Sequence, residues 1–253
     1  MAHRGHNEMS LEAAYVLHRR PYRDTSLIAE LLTEDNGRVG VVARGAKRPR
    51  SRVACVGQLF QPLAVSWGGR GDMGTLNHAD ASGPPWLLQG QVLFSGLYVN
   101  ELLVRLLPRH APCPEIFALY AETLNGLSIA PDDDTAVQQQ LRRFELQLMQ
   151  RMGYGLDLEH ASDGRIRIDE HGSYLYRHDL GLIPCERGIE ANQGVLVSGR
   201  TLVGLRTGQL VRRQELNEAK RLMRFILSVY IGPRPLNSRQ VFRAFLHHGS
   251  QAQ

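Results

Sequence analysis

The sequence has little of several features that would indicate a secreted or membrane protein. It contains three cysteines, Cys55, Cys113 and Cys185, and no two of them form a C-x-x-C pair. An odd, widely spaced set predicts free thiols in a reducing compartment rather than a disulfide framework. No apolar run approaches the roughly 18–20 residues that a membrane span needs, and the N-terminus has no apolar signal region. We therefore expect a cytoplasmic protein without membrane contact.

Motifs for nucleotide binding and catalysis are also lacking. There is no G-x-x-x-x-G-K-[ST], no H-E-x-x-H and no G-x-S-x-G. His171 and His178 lie near Cys185, but no second cysteine stands at a ligand spacing, so these residues do not predict a zinc site. The sequence predicts no catalytic residue, no metal and no cofactor.

Acidic residues are absent from one short, strongly basic stretch. Residues 37–52 carry six basic residues and no acidic one, and residues 199–253 carry ten basic and two acidic. Residues 53–198, which lie between these two segments, carry ten basic and 17 acidic residues. Clustered charge of this kind bears on partners rather than on the fold. Two basic blocks around an acidic middle indicate a polyanionic partner such as nucleic acid.

The N-terminal part reads as a small β-barrel. About five short apolar runs alternate with turns, and Asn36-Gly37 is a strong hairpin signal. We expect the first strand to reach about His18, because Pro21 follows it, and the alternation from Leu59 to Val65 predicts a later strand. Five short strands in about 80 residues are typical of a closed barrel, which leaves no sheet edge unpaired.

The hydrophobic period becomes helical after Pro84-Pro85. Three helical stretches follow, then a glycine-rich, irregular segment at 154–197 with short β-like pieces such as RIRID and SYLYRHD, and further C-terminal helices. The predicted fold is therefore α+β and multidomain. It has an OB-fold barrel at 1–83 and an all-helical domain at 84–253, with 154–197 as an irregular insertion.

The first basic block lies on a strand and the loop after it. Gly45 and Pro49 predict an extended loop that follows a sugar-phosphate backbone, and Tyr22 stands among further arginines as a ring for stacking. Phe60 and Trp67 are further aromatic candidates, with core packing as their alternative. The candidate nucleic-acid-binding residues are Arg19, Arg20, Arg23, Arg38, Arg44, Lys47, Arg48, Arg50 and Arg52.

Several segments resemble one known family. AYVLHRRPYRDTSLIAELLTEDNGRVGVVARGAKRPRSR, followed by GQLFQPL, resembles the N-terminal domain of the RecO family of bacterial recombination mediators. GLYVNELLVRLL, PCPEIFALYAETLNGL and RRFELQLMQRMGYGLDL resemble its helical domain, in order to about residue 160. The resemblance implies a non-enzymatic role in recombinational DNA repair, close to the nucleoid. It implies binding of single- and double-stranded DNA, strand annealing, and loading of RecA together with RecR onto DNA coated by single-stranded-DNA-binding protein (SSB).

The resemblance also bears on whether the chain binds zinc and on where it binds the acidic tail of SSB. Some relatives carry a four-cysteine zinc module, but residues 157–190 here retain only Cys185, which implies that the metal has been lost. An acidic tail that ends in apolar residues requires a basic group beside an apolar pocket. Two sets of helical residues fit, and the sequence leaves the choice open: Arg142 and Arg143, or Lys220, Arg221 and Arg224. The second set, with Arg212 and Arg213, also fits an additional DNA surface.

Two other classes of protein remain open on the sequence alone. An RNA-binding or ribosome-associated barrel protein would carry similar charge, because phosphate contacts look alike and the 2′-hydroxyl makes the difference. A hydrolase with a basic substrate channel is the enzymatic alternative, and the missing catalytic motifs disfavour it.

Overall fold

A computed structural model describes residues 11–69, 71–129, 132–161, 164–186 and 194–249, with the backbone alone for 243 and 246–249. The chain divides into two compact units. The first comprises residues 1–87 and 100–118, and the second comprises residues 88–99 and 119–253.

The first unit contains a closed five-stranded barrel. Its strands are β1 (Glu12–Tyr22), β2 (Ser26–Thr33), β3 (Gly37–Ala43), β4 (Leu63–Gly68) and β5 (Met73–Ala81). They follow the order β1-β2-β3-β5-β4, and β4 pairs with β1 to close the barrel. The pairing of β3 with β5 is parallel, and the other pairings are antiparallel. The predicted OB-like barrel is confirmed.

Alanine, valine and leucine side chains fill the barrel interior. Alternate residues of each strand point inward, as the two-residue period of a strand requires, and Val16, Leu31 and Val41 are among those with no exposed surface. At the predicted hairpin, Gly37 has a φ of +66°, and a Cβ at this position would overlap the carbonyl group of Ala111. Only glycine meets both conditions at this turn.

Two strand boundaries differ from prediction. β1 continues through Pro21, which pairs with Leu27 near the end of the β1–β2 hairpin. This position tolerates proline because β4 pairs only with residues 12–14 of β1, so no partner on that side needs the missing N–H. β4 begins at Leu63 rather than at Leu59, because Phe60 has a φ of +62° that no strand can contain.

The helical stretches that the sequence predicts are present. The helices are α1 (Gly90–Leu106), α2 (Pro114–Ile129), α3 (Asp134–Arg151), α4 (Gly199–Thr207), α5 (Arg213–Ile231) and α6 (Asn237–Gly249). The acidic run before α3 has a capping role, since the Asp133 side chain accepts a hydrogen bond from the Ala136 backbone N–H at 3.0 Å. In the first unit, Asn100 on α1 donates to the backbone oxygen of Leu17 on β1 at 2.9 Å.

Part of the segment predicted to be irregular is a small sheet, and the predicted β-like piece SYLYRHD contains one of its strands, whereas RIRID forms an isolated bridge at Arg167 and no strand. Strands β6 (Ser173–Arg177), β7 (Gly181–Pro184) and β8 (Val195–Ser198) pair antiparallel in the order β7-β6-β8. Ser198 then caps α4, and its hydroxyl also donates to Glu218 of α5 at 2.7 Å. The buried Glu218 carboxylate therefore joins this sheet to two helices.

Within the ranges given above, no helix has both the length and the apolar character that crossing a bilayer requires.

Candidate nucleic-acid interface

The basic loop after β3 is tied to the turn between β1 and β2. The backbone N–H of Lys47 donates to the backbone oxygen of Thr25 at 2.9 Å. Within the loop, the N–H of Arg48 donates to the oxygen of Gly45 at 2.9 Å, and Gly45 and Arg50 have positive φ values of 69° and 59°. The predicted extended loop is therefore wrong. The backbone here makes successive turns, and these turns fix the backbone positions from which the basic side chains extend.

The two connected loops present a cluster of exposed positive charge. Its members, which we call the basic patch, are Arg23, Arg44, Lys47, Arg48, Arg50 and Arg52, and all of them are exposed. A groove of about 630 Å³ between the loops is lined by Arg23, Arg44 and Arg48, with Asp24 as an acidic neighbour. Because the charges are exposed, phosphate groups can approach them without displacing protein contacts.

An aromatic ring lies in the same groove. Tyr22 lines it, and the guanidinium carbon of Arg23 lies 5.2 Å from the centroid of the Tyr22 ring. This distance is within the range of a cation–π contact, which holds the charge beside the ring. Tyr22 is half-buried, so part of the ring remains open for a base.

Arg19 and Arg20 are also exposed but cannot both extend this surface. They are consecutive residues of β1, opposite Ala29 and Ile28 of β2 respectively, and consecutive side chains of a strand point to opposite faces. At most one of the two faces the groove.

Arg38 differs from the other candidates because it is engaged inside its own unit. Its guanidinium donates to Oε2 of Glu30 at 2.8 Å and to the backbone oxygen of Leu107 at 2.9 Å. Arg109 also forms an ion pair with Glu30. These contacts give Arg38 a role in holding the barrel wall, so we leave it out of the proposed DNA surface.

The other two aromatic candidates belong to the barrel. Phe60 is buried, and Trp67 is partly buried and packs against the core. The structure therefore supports core packing, rather than base stacking, for both rings.

A second site lies within the second unit, where side chains of α1, α3, α5 and α6 line a cavity of about 160 Å³. Arg142 and the hydroxyl of Tyr98 both donate to Oε1 of Glu145, each at 2.6 Å. Burial and the Glu145 charge raise the pKa of Tyr98, so this phenol stays neutral and donates. Among the described residues, Nε of Arg142 is buried without a hydrogen-bond partner.

The cavity combines further cations with apolar walls. Lys220, Arg224 and Arg239 line it, together with apolar side chains that include Phe94 and Phe242. Burial and the charges of Arg224 and Arg142 lower the pKa of Lys220. Among the described residues, four cations (Arg142, Lys220, Arg224 and Arg239) and one carboxylate, Asp134, line the cavity, so its lining carries an excess of positive charge. An anion is therefore favoured in this cavity.

The structure brings residues of both predicted SSB-tail sites into one cavity. Arg142 from the first set lies in the same cavity as Lys220 and Arg224 from the second. Arg143 instead forms an exposed ion pair with Glu122 at 2.6 Å, and Arg221 lines a different cavity. The two sets are thus not alternatives. Sequence reasoning missed Tyr98, Phe94, Phe242 and Arg239, for which helical spacing was the only signal.

No metal cluster is present in the described part of the chain, where no three His, Cys, Asp or Glu side chains are grouped as ligands. His178 stacks on Phe225 with ring centroids 4.2 Å apart, and His171 pairs with Glu170 at 3.1 Å. Cys185 is half-buried at the end of the small sheet. Cys185, His171 and His178 are thus not grouped as metal ligands in the described part of the chain.

A closed barrel of this strand order, with exposed cations on its loops, defines an OB-fold protein. Comparison with known proteins makes the assignment specific. The family described as "Recombination protein O N terminal" matches residues 9–84, and "Recombination protein O C terminal" matches residues 88–240. The chain belongs to the RecO family of DNA repair proteins.

Relatives support this assignment over nearly the whole chain. The DNA repair protein RecO of Methylococcus capsulatus is 47% identical over 234 residues, which cover 92% of this chain and 93% of the relative. That of Nitrosococcus oceani is 44% identical over 229 residues, which cover 90% and 91%. The family resemblance stated from the sequence is confirmed.

Proposed function

We propose that the chain is a recombination mediator that binds single- and double-stranded DNA through the basic patch and anneals complementary strands. The observation that carries the proposal is the exposure of all six basic side chains on two loops joined by the Lys47–Thr25 hydrogen bond. Three of these cations, Arg23, Arg44 and Arg48, line one groove, and the other three lie on the same two loops, an arrangement that suits a phosphate backbone of any sequence.

In this account base pairing between the strands drives annealing, and the protein contributes to it through charge alone. Two complementary strands repel each other through their phosphates, and a cationic surface screens that repulsion. Binding gains free energy mainly from the release of counterions, so it depends steeply on salt. No bond is made or broken, and we therefore propose that annealing needs neither nucleotide nor metal and that the chain is not an enzyme.

We further propose that the cavity lined by Arg142, Lys220 and Arg224 receives the acidic tail of SSB. The apolar end of such a tail fits beside Phe94 and Phe242, and its carboxylates fit the cations. The buried Nε of Arg142, which has no hydrogen-bond partner in the described structure, is a donor for such a carboxylate.

Membership of the RecO family supports extending the proposal to RecR and RecA. With RecR, the chain would help RecA replace SSB on single-stranded DNA, in the cytoplasm and close to the nucleoid.

A fluorescence assay of strand annealing tests the proposal. Two complementary DNA oligonucleotides are mixed with the protein, with and without EDTA, in the absence of nucleotide. We expect faster annealing in both cases, and slower annealing when Arg44, Lys47, Arg48 and Arg50 are changed to Ala. Single-stranded RNA of the same sequence serves as competitor: if RNA displaces DNA at lower concentration than unlabelled DNA does, the RNA-binding alternative is the better account.

A further inference from the structure

The second unit carries a cluster of aromatic rings that the proposed function does not use. The ring of His178, just after β6, stacks on Phe225 of α5, with centroids 4.2 Å apart and an interplanar angle of 17°. Tyr176 of β6 meets both rings edge-on, at 5.7 Å from His178 and 6.1 Å from Phe225. His178 is exposed, and the other two rings are half-buried. A base can therefore stack on the face of His178 that Phe225 does not cover.

A second aromatic pair extends the cluster. Tyr154 and Tyr230 have ring centroids 4.4 Å apart, and they are 49% and 37% exposed. Tyr230 and Phe225 belong to the same helix, α5, and lie five residues apart, about 7.5 Å along its axis, which brings this pair near the first three rings. We call the five residues the aromatic patch: Tyr154, Tyr176, His178, Phe225 and Tyr230. This much exposed ring surface indicates a binding site rather than a core.

The charge around the aromatic patch favours a polyanion. Arg221 is exposed and lies one helical turn before Phe225, on the same face of α5. The two acidic residues of 199–253, Glu215 and Glu218, are both buried. Asp179, beside His178, is paired with Arg177 at 2.8 Å. The cations of residues 199–253 are thus not offset by exposed acids of the same segment, although exposed Glu170 and Glu186 line the cavity that Arg221, Arg200 and Arg212 also line.

We propose that the aromatic patch is a second DNA surface, which takes the unpaired bases of single-stranded DNA. Stacking on aromatic rings tolerates any base because every base has a π face, and Arg221 is a contact for the backbone. A duplex keeps its bases stacked inside, so it offers no free face to these rings. The inference rests on the proposed function, and it adds a base-reading surface in the second unit to the phosphate-binding surface of the barrel. Each unit then holds DNA in a different way, which suits a chain that brings two strands together.

The test compares ring removal with ring retention at the two most accessible positions. The first variant combines His178→Leu with Tyr230→Leu, which keeps apolar bulk but removes the rings. The matched control combines His178→Phe with Tyr230→Phe, which keeps them. Both residues are exposed, so neither variant should disturb folding, and a thermal melt verifies this. We expect the Leu variant to bind single-stranded DNA about tenfold more weakly, to bind duplex DNA within twofold of the parent, and the Phe variant to match the parent on both.

Photocrosslinking provides an independent measurement on the parent protein. Single-stranded DNA that contains 5-iodouracil couples on irradiation to aromatic side chains against which the base is stacked. We expect crosslinked peptides that contain Tyr230 or His178, and their loss when the single strand is replaced by duplex. Crosslinks confined to the barrel, equally weakened binding of duplex and single strand, or a Leu variant that binds like the parent would each overturn the aromatic patch as a DNA surface. The last outcome would favour a protein partner at these rings. A parent protein that binds no DNA at all would instead overturn the proposed function itself.

Discussion

Arg38 donates to Glu30 at 2.8 Å across the β2–β3 ladder of the barrel, while its neighbours in the basic stretch project into solvent. The same block of sequence therefore contains two kinds of arginine. One holds the barrel together, and the others are available to DNA.

This difference predicts effects of different size on stability for two alanine substitutions. Arg38→Ala removes a partly buried, charge-assisted hydrogen bond and should lower the free energy of unfolding by about 1–3 kcal/mol, since Arg109 still pairs with Glu30. Arg44→Ala should change it by less than about 0.5 kcal/mol, because its side chain is exposed. Urea unfolding of both variants measures these changes. Equal stabilities would show that the Glu30 pair contributes nothing.

The cavity of the second unit predicts which cations bind the SSB tail. Lys220→Ala combined with Arg224→Ala should weaken binding of a labelled tail peptide by tenfold or more, because removing each charge-assisted hydrogen bond costs about 1.5–3 kcal/mol. The matched control, Arg143→Ala with Arg151→Ala, removes the same charge at exposed positions outside the cavity and should bind the peptide like the parent.

Annealing of bare DNA should be largely intact in both double variants, because the barrel carries that activity. If the two variants bind the tail peptide equally, either as tightly as the parent or not at all, the tail binds elsewhere on the protein.

The lowered pKa of Lys220 predicts a pH dependence of tail binding. The lysine is charged, and binds carboxylate, below its pKa, so affinity should fall as pH rises through that pKa, which lies below the ordinary lysine value. A carboxylate bound beside Lys220 raises the pKa of the lysine again. At pH values near that pKa, binding of the tail is therefore accompanied by uptake of a fraction of a proton by Lys220. Lys220→Arg stays charged throughout and should remove the dependence. Fluorescence titrations from pH 7 to pH 10 measure it, and parallel profiles for the two proteins would contradict the assignment.

Metal independence is a further prediction. Because the rings of His178 and Phe225 are stacked and no ligand cluster is present among the described residues, EDTA should change neither the melting temperature nor the annealing rate. Stoichiometric zinc in a purified, untagged sample would contradict this and redirect attention to Cys185, His171 and His178.

Local signals predicted most of the fold. Asn36-Gly37 specified a hairpin, and prolines and glycines marked most helix ends. Pro21 misled, because whether a strand tolerates proline depends on which sides of it are paired, and this is a tertiary property. The strands β7 and β8 were missed because each has four residues, and such short strands are defined by their pairing with β6 rather than by their own pattern.

The candidate sites were less predictable than the fold. Charge counts identified the basic loop, but they could not separate Arg38 from Arg44, since pairing with Glu30 needs the strand register. Likewise, Arg142 and Lys220 are 78 positions apart in the sequence and line one cavity only because α3 and α5 pack together.

The salt dependence of DNA binding tests the central claim most directly. For single-stranded DNA, the slope of log K against log salt concentration becomes shallower by about 0.7 for each phosphate that the protein no longer neutralises. Changing Arg44, Lys47, Arg48 and Arg50 together to Ala should therefore make the slope shallower by about 3. A control that removes four exposed arginines of the second unit (Arg151, Arg165, Arg167 and Arg206) should change it by less than about 1. An unchanged slope in a folded patch variant, or an equal change in both variants, would contradict the assignment of DNA binding to the barrel.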